Sequence, residues 1–295
     1  MTTTTPTTTT TATATAAPAP AATPTTRTRL TPTPEQTAAY RAAARTALPA
    51  PARTGTSPAY PFVAAHALAQ HTVTALTTGD QGFTGVVHLA QEIHTHTPLT
   101  PGAALDVAVE VTAARREARG TRIALTTRLT DPTTGTERAR LSTAALLLGA
   151  TAPTPFGTPA ATAHPGTTPD AEPDTLTLAL TRADTTAYAH ASGDHNPIHL
   201  DDTAARTAGF PGVIAHGMHL VALAAEHLTD RYADGDPARI TALGARFAAP
   251  YTPGTPLRLT LQPYDRATVV RFTLATENGT AVKAGWAALA PAAGE

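Results

Sequence analysis

Apolar and polar positions change rhythm several times along the chain, and each change marks an element. From Tyr60 to Leu76, "YPFVAAHALAQHTVTAL" is apolar on most sides, which predicts a buried helix with Pro61 suited to its first turn. Period-two segments follow near 84–97, 103–115, 121–130 and 137–148 and predict consecutive strands. In the third, Ile123, Leu125 and Leu129 share one face while Arg122 and Arg128 take the other. The second half has the same layout. A short strand, "TLTLALT", precedes a helix over 184–191, and a longer apolar helix covers 216–228. Strands are then expected near 239–249, 256–264, 267–276 and 280–289. One buried helix followed by antiparallel strands, twice over, implies an α+β fold in which each sheet wraps a central helix.

The letters repeat as well as the rhythm. "PLTPGAALDVAVEV" from Pro98 and "PYTPGTPLRLTLQP" from Pro250 share P-x-T-P-G-x-x-L without a gap, so Leu105 and Val107 correspond to Leu257 and Leu259. A second echo joins "GTERARLSTAAL" from Gly135 to "GTAVKAGWAALA" from Gly279. The halves therefore read as a duplication. Composition sets their limits. Residues 1–27 are almost wholly Thr, Ala and Pro, too poor in large apolar groups to offset chain entropy, and are expected to be a disordered tail. A Pro- and Thr-rich stretch over 149–173 reads as a linker, leaving a first domain at 28–148 and a second at 174–295.

Lys plus Arg number 21 against 22 for Asp plus Glu, which argues against a nucleic acid or an anionic membrane held mainly by charge. No apolar run approaches the roughly 18 residues of a membrane span. With no cysteine there is no disulfide, thiolate metal site or cysteine nucleophile. The start lacks the basic and apolar regions of a secretory signal, so a cytoplasmic location is expected.

Candidate chemistry gathers at "SGDHNPIHLDD", residues 192–202. Pro197 removes a donor and pushes Asn196 out of helical geometry, so the segment is a fixed loop. His195 and His199 have the i, i+4 spacing of a zinc-binding helix, but the proline breaks the helix that spacing needs. Asp194 and His199 remain a carboxylate–imidazole pair suited to moving protons near neutral pH, with Asn196 able to orient either or to complete the turn. Downstream, "GFPGVIAHGMHLVAL" leads into a helix at His216–Gly217, whose N-terminus offers unpaired N–H groups to a developing oxyanion. In the first half, His88, His94 and His96 have strand spacing that places them on one face.

The long ordered run "YAHASGDHNPIHLDDTAARTAGFPGVIAHGMHLVALAAEHL", 188–228, resembles the signature of the MaoC-like, (R)-specific enoyl-CoA hydratase family. From about residue 30 the whole chain resembles its double-hotdog members, the bacterial 3-hydroxyacyl-thioester dehydratases. The resemblance implies a double hotdog with the site in the second half. It implies that Asp194 and His199 hold the water exchanged at C3, that Asn196 supports them, and that the Gly217 N–H binds the thioester oxygen. Ile214, His216 and Met218, around that glycine, are the candidate substrate-binding residues. The implied reaction interconverts a trans-2-enoyl thioester and its (3R)-3-hydroxyacyl form. No metal or redox cofactor is expected, since coenzyme A or the phosphopantetheine of an acyl carrier protein belongs to the substrate.

No G-D-x-N-P-x-H stands in the first half, where the counterpart of Asp194 falls near Ala42, so that copy is expected to be catalytically empty. Two alternatives stay open: a hotdog acyl thioesterase, which would release free thiol, and a non-catalytic acyl-binding subunit. Two hotdogs in one chain can supply the usual pair internally, so a monomer with an internal pseudo-dimer and a homodimer are both compatible.

Overall fold

The computed structural model describes residues 25–158 and 163–291. The first half runs β1 (Thr25–Leu30), α1 (Pro34–Ala44), α2 (Tyr60–Thr77), β2 (Gly85–Thr95), β3 (Leu105–Glu117), β4 (Gly120–Thr130) and β5 (Glu137–Leu148). The second runs β6 (Asp174–Leu178), α3 (Arg182–Ser192), α4 (Asp202–Thr207), α5 (Gly217–Tyr232), β7 (Ile240–Phe247), β8 (Leu257–Tyr264), β9 (Val269–Thr276) and β10 (Gly279–Leu289). All ten strands form one antiparallel sheet in the order β1-β3-β4-β5-β2-β7-β10-β9-β8-β6. The order is the same read inward from either edge, with β2 and β7 meeting at the centre. The repeated P-x-T-P-G segments lead into β3 and β8, and the second echo enters β5 and β10.

α2 and α5 lie against this sheet, and α1 packs on α2, α3 and α5. α2 lays Leu68, Ala69, Val73 and Leu76 on Val109, Val111, Ile123, Leu125 and Leu147. α5 is buried over nearly its whole length, from Met218 to Leu228, between the second sheet half and α1. Its all-round apolar pattern follows from that double burial.

Two departures from the sequence reading stand in the first half. Residues 25–27 belong to β1, paired with β3, rather than to the Thr-rich tail; residues 1–24 lie outside the described residues. The helix α1 was not predicted, because "PEQTAAYRAAA" is Ala-rich and polar with little periodic contrast. Its start is nonetheless written locally. Thr33 and Gln36 form a reciprocal capping box, with Pro34 in the first turn.

The halves are held together through α1. Tyr40 and Tyr188 of α3 share a hydroxyl–hydroxyl hydrogen bond of 3.2 Å. Beside them, Glu226 of α5, wholly buried, accepts from Arg41 Nε and Arg45 Nη1, each at 2.9 Å, and Arg45 also reaches Asp230 at 2.6 Å. The linker is bound rather than loose where it is described. Phe156 bridges to Ala114, the Ala163 N–H donates to Glu92, and Arg271 donates to the carbonyls of His164, Pro165 and Gly166.

Candidate active site

The site is assembled where α3 ends. A capping box of Thr181 and Asp184 starts α3, and Gly193 stops it at φ 74°, a left-handed turn that suits glycine. Asp194 follows immediately. Asn196 accepts from the Ile198 N–H through its side chain, and Pro197–His199 form a single 3-10 turn. The proline thus fixes the loop, as the sequence implied. His195 points away, exposed beside His190, and makes no helix with His199.

Two imidazoles converge on Asp194 from its own half. His199 Nδ1 donates to the Ile214 carbonyl at 2.8 Å, which sets the tautomer and leaves Nε2 as a lone-pair base. His216 Nε2 donates to the Asp194 carbonyl at 2.9 Å, and its ring centre lies 3.8 Å from that of His199. Both rings are buried, at 8% and 2% exposure. Burial lowers the His199 pKa; burial and the neighbouring His199 push His216 down to about 3. Burial works against the Asp194 charge, but His66, His216, His199 and the Asn196 N–H together hold its carboxyl below the usual range. The pair at neutral pH is therefore an anionic carboxylate beside a neutral imidazole.

The ligand atoms of Asp194, His199 and His216 lie within 4.8 Å of one another, close enough to share a divalent cation. This trio differs from the His195–His199 pair that spacing alone suggested. His216 Nδ1 is buried with no hydrogen-bond partner, and with its Nδ1 donating to Ile214, His199 keeps a lone pair on Nε2 that can accept a proton.

Gly217 opens α5 and no side chain caps this helix; the His219 N–H is taken by the His216 carbonyl at 3.0 Å, which leaves the N–H groups of Gly217 and Met218 as the unpaired donors of the first turn. Glycine is required there by packing. A Cβ would stand 2.6 Å from Phe247 Cδ1 and 2.7 Å from Cε1. Of the candidate substrate-binding residues, Ile214 contributes its carbonyl to His199, His216 enters the polar cluster, and Met218 packs into the main core at 3% exposure.

The first half also reaches this site, which its own sequence did not reveal. His66 of α2 places Nε2 3.8 Å from Asp194 Oδ1. His88 of β2 lies near-parallel to Phe62 at 5.7 Å and 4.6 Å from Phe247, between the two halves. The expectation that His88 shares a face with His94 and His96 is corrected by a bulge between His88 and Ala90. It turns His88 toward α2, while His94 faces Trp286. A lone histidine inside an apolar helix carries no signal of a partner in another half; the pairing of β2 with β7 supplies it.

The first half's own counterpart of the site is a groove of about 290 Å³ lined by Thr56, Ser57, Pro61, Thr95, Leu99 and Ile240, among others. The offset from Pro98 to Pro250 also carries His88 to Ile240 and Thr95 to Phe247, so the groove is the symmetry mate of the Asp194 site. Its one lining carboxylate, Asp236, caps a 3-10 turn, and no histidine lines it.

Fold and site define a fused pair of hotdog domains with a single acid–base loop. Residues 161–283 match the family described as MaoC like domain. The chain is 34% identical over 180 residues to 3-hydroxyacyl-thioester dehydratase Y of Mycobacterium tuberculosis, covering 58% of this chain and 60% of that protein. It is 34% identical over 118 residues to peroxisomal multifunctional enzyme type 2 of Drosophila melanogaster, covering 40% of this chain and 19% of that one. The chain thus spans less than two thirds of the length of these curated relatives. Among solved structures, a MaoC-like dehydratase from Phytophthora capsici superposes with a TM-score of 0.73 at 20% identity, over 92% of this chain and 96% of that one. A Mycobacterium tuberculosis protein described as a double hotdog fold superposes at 0.58 with 16% identity, over 90% and 96% of the two chains.

Proposed function

We propose that the chain is a hydro-lyase that adds water reversibly to a trans-2-enoyl thioester, giving the (3R)-3-hydroxyacyl thioester. The observation that carries this reading is the joint placement of Asp194 and a tautomer-fixed His199 next to the uncapped start of α5. Relatives named 3-hydroxyacyl-thioester dehydratase and enoyl-CoA hydratase support it.

In the hydration direction a water sits between the Asp194 carboxylate and His199 Nε2. The thioester oxygen accepts from the Gly217 N–H, which draws electron density from C3 and stabilises the enolate-like charge that forms. Water oxygen bonds to C3 as its proton passes to the Asp194–His199 pair, and the pair returns a proton to C2. Dehydration retraces these steps. The charge that develops lies on an oxygen held by a main-chain donor, so the site residues need only relay one proton. Coenzyme A or a carrier-protein phosphopantetheine enters as part of the substrate, and an acyl carrier protein is a partner consistent with that chemistry.

The test is consumption of trans-2-enoyl-CoA of several chain lengths, and of the carrier-protein thioesters, followed by loss of enoyl absorbance alongside a thiol assay. Loss of absorbance without thiol release is expected. Thiol release without hydration would instead indicate thioester hydrolysis, and no turnover of any thioester would leave a binding subunit.

A further inference from the structure

His66, from the half that lacks the Asp194 loop, places its Nε2 3.8 Å from Asp194 Oδ1. It lies one helical turn after Phe62, on the same face of α2, and the two rings are 5.3 Å apart. Its side chain is 12% exposed, and Nε2 is buried with no hydrogen-bond partner. A buried imidazole nitrogen without a partner is costly and calls for a use. Asp194 Oδ1 stands 3.8 Å from it, an oxygen that already accepts from the Asn196 N–H at 3.3 Å. Separations of this kind shorten when a site fills.

We propose that His66 is a positioning residue for Asp194: its Nε2–H closes on Oδ1 when substrate binds and fixes the carboxylate, leaving Oδ2 to the reacting water. The half without the motif thereby supplies part of the site. This proposal rests on the hydratase reading for its kinetic test and on geometry alone for its second test.

Four variants are compared with wild type on an accepted enoyl thioester: His66→Phe, His66→Gln, Asp194→Asn and the His66→Phe/Asp194→Asn double. His71→Gln, exposed on the same helix, is the control. His66→Phe keeps a ring against Phe62 and removes the N–H; kcat should fall about 100-fold with KM little changed. His66→Gln restores an amide N–H at similar reach and should recover part of that loss. In the Asp194→Asn background, His66→Phe should cost nothing further. A role in packing alone predicts the reverse order, with Phe active and Gln impaired; that order, or losses that multiply in the double variant, overturns the proposal. Melting temperatures of wild type, His66→Phe, Asp194→Asn and the double, each with a saturated acyl-CoA bound, read the pairing without any turnover. Shifts that fail to add support it, and additive shifts overturn it, even if wild type hydrates nothing and the hydratase reading falls.

Discussion

The Nδ1–H of His199 is held by the carbonyl of Ile214 at 2.8 Å, across the gap between the Asn-Pro loop and the strand-like run into α5. This bond ties the His199 ring to the segment that presents Gly217. If the ring works as the base through Nε2, His199→Ala and Asp194→Asn should each lower kcat by about 10²- to 10⁴-fold, with circular dichroism unchanged. Steady-state hydration kinetics check this; full activity in either variant would remove that residue from the mechanism.

Gly217→Ala should impair both packing and turnover. The new methyl meets the Phe247 ring at under 3 Å, so either the ring or the start of α5 must move. A destabilisation of about 1–3 kcal/mol is expected by denaturant titration. Phe247→Leu in the same chain should relieve much of it, because the clash is with the ring itself.

Glu226→Leu should destabilise by about 3–5 kcal/mol, since it strands the buried guanidinium groups of Arg41 and Arg45 without their shared acceptor. Urea unfolding measures the loss. Retention of wild-type stability would mean that the Tyr40–Tyr188 contact and the apolar core already hold the halves together.

Acid should weaken the fold through its buried histidines. Burial lowers His88 and His219 to about 4, and burial with His199 lowers His216 to about 3. The unfolded chain takes up protons near pH 6.5, which the folded state refuses until pH 3–4, so stability falls as pH drops through that window. At pH 5 each ring withholds on the order of 2 kcal/mol. Unfolding midpoints at pH 7.5, 6 and 5 should decline, and His88→Phe, which can stack on Phe62 and Phe247 without titrating, should flatten the slope.

Much of this was legible from residues alone. Alternation gave all eight long strands, because burial alternates along them, as in β3, β4 and β8. Pro197 identified the loop. What sequence could not show depends on geometry beyond one segment. The bulge after His88 reverses the face of that ring, and no residue type announces it. The approach of His66 to Asp194 exists only because β2 and β7 pair, a long-range contact with no local trace. The edge strand β1, "TTRTRL", has too few apolar positions to separate it from the Thr-rich tail before it.

The continuity of the sheet through β2 and β7 has one more consequence. In an assembly of identical subunits, any substitution appears on both sides of the axis at once, so a strand position must suit both. Here the two sides are inherited separately within one polypeptide. His88 can be an imidazole where its mate Ile240 is aliphatic, and Phe247 can be a ring where its mate Thr95 is a hydroxyl. A fused copy need not keep a G-D-x-N-P-x-H loop of its own, and its strand and helix can be shaped to face the other copy's loop instead.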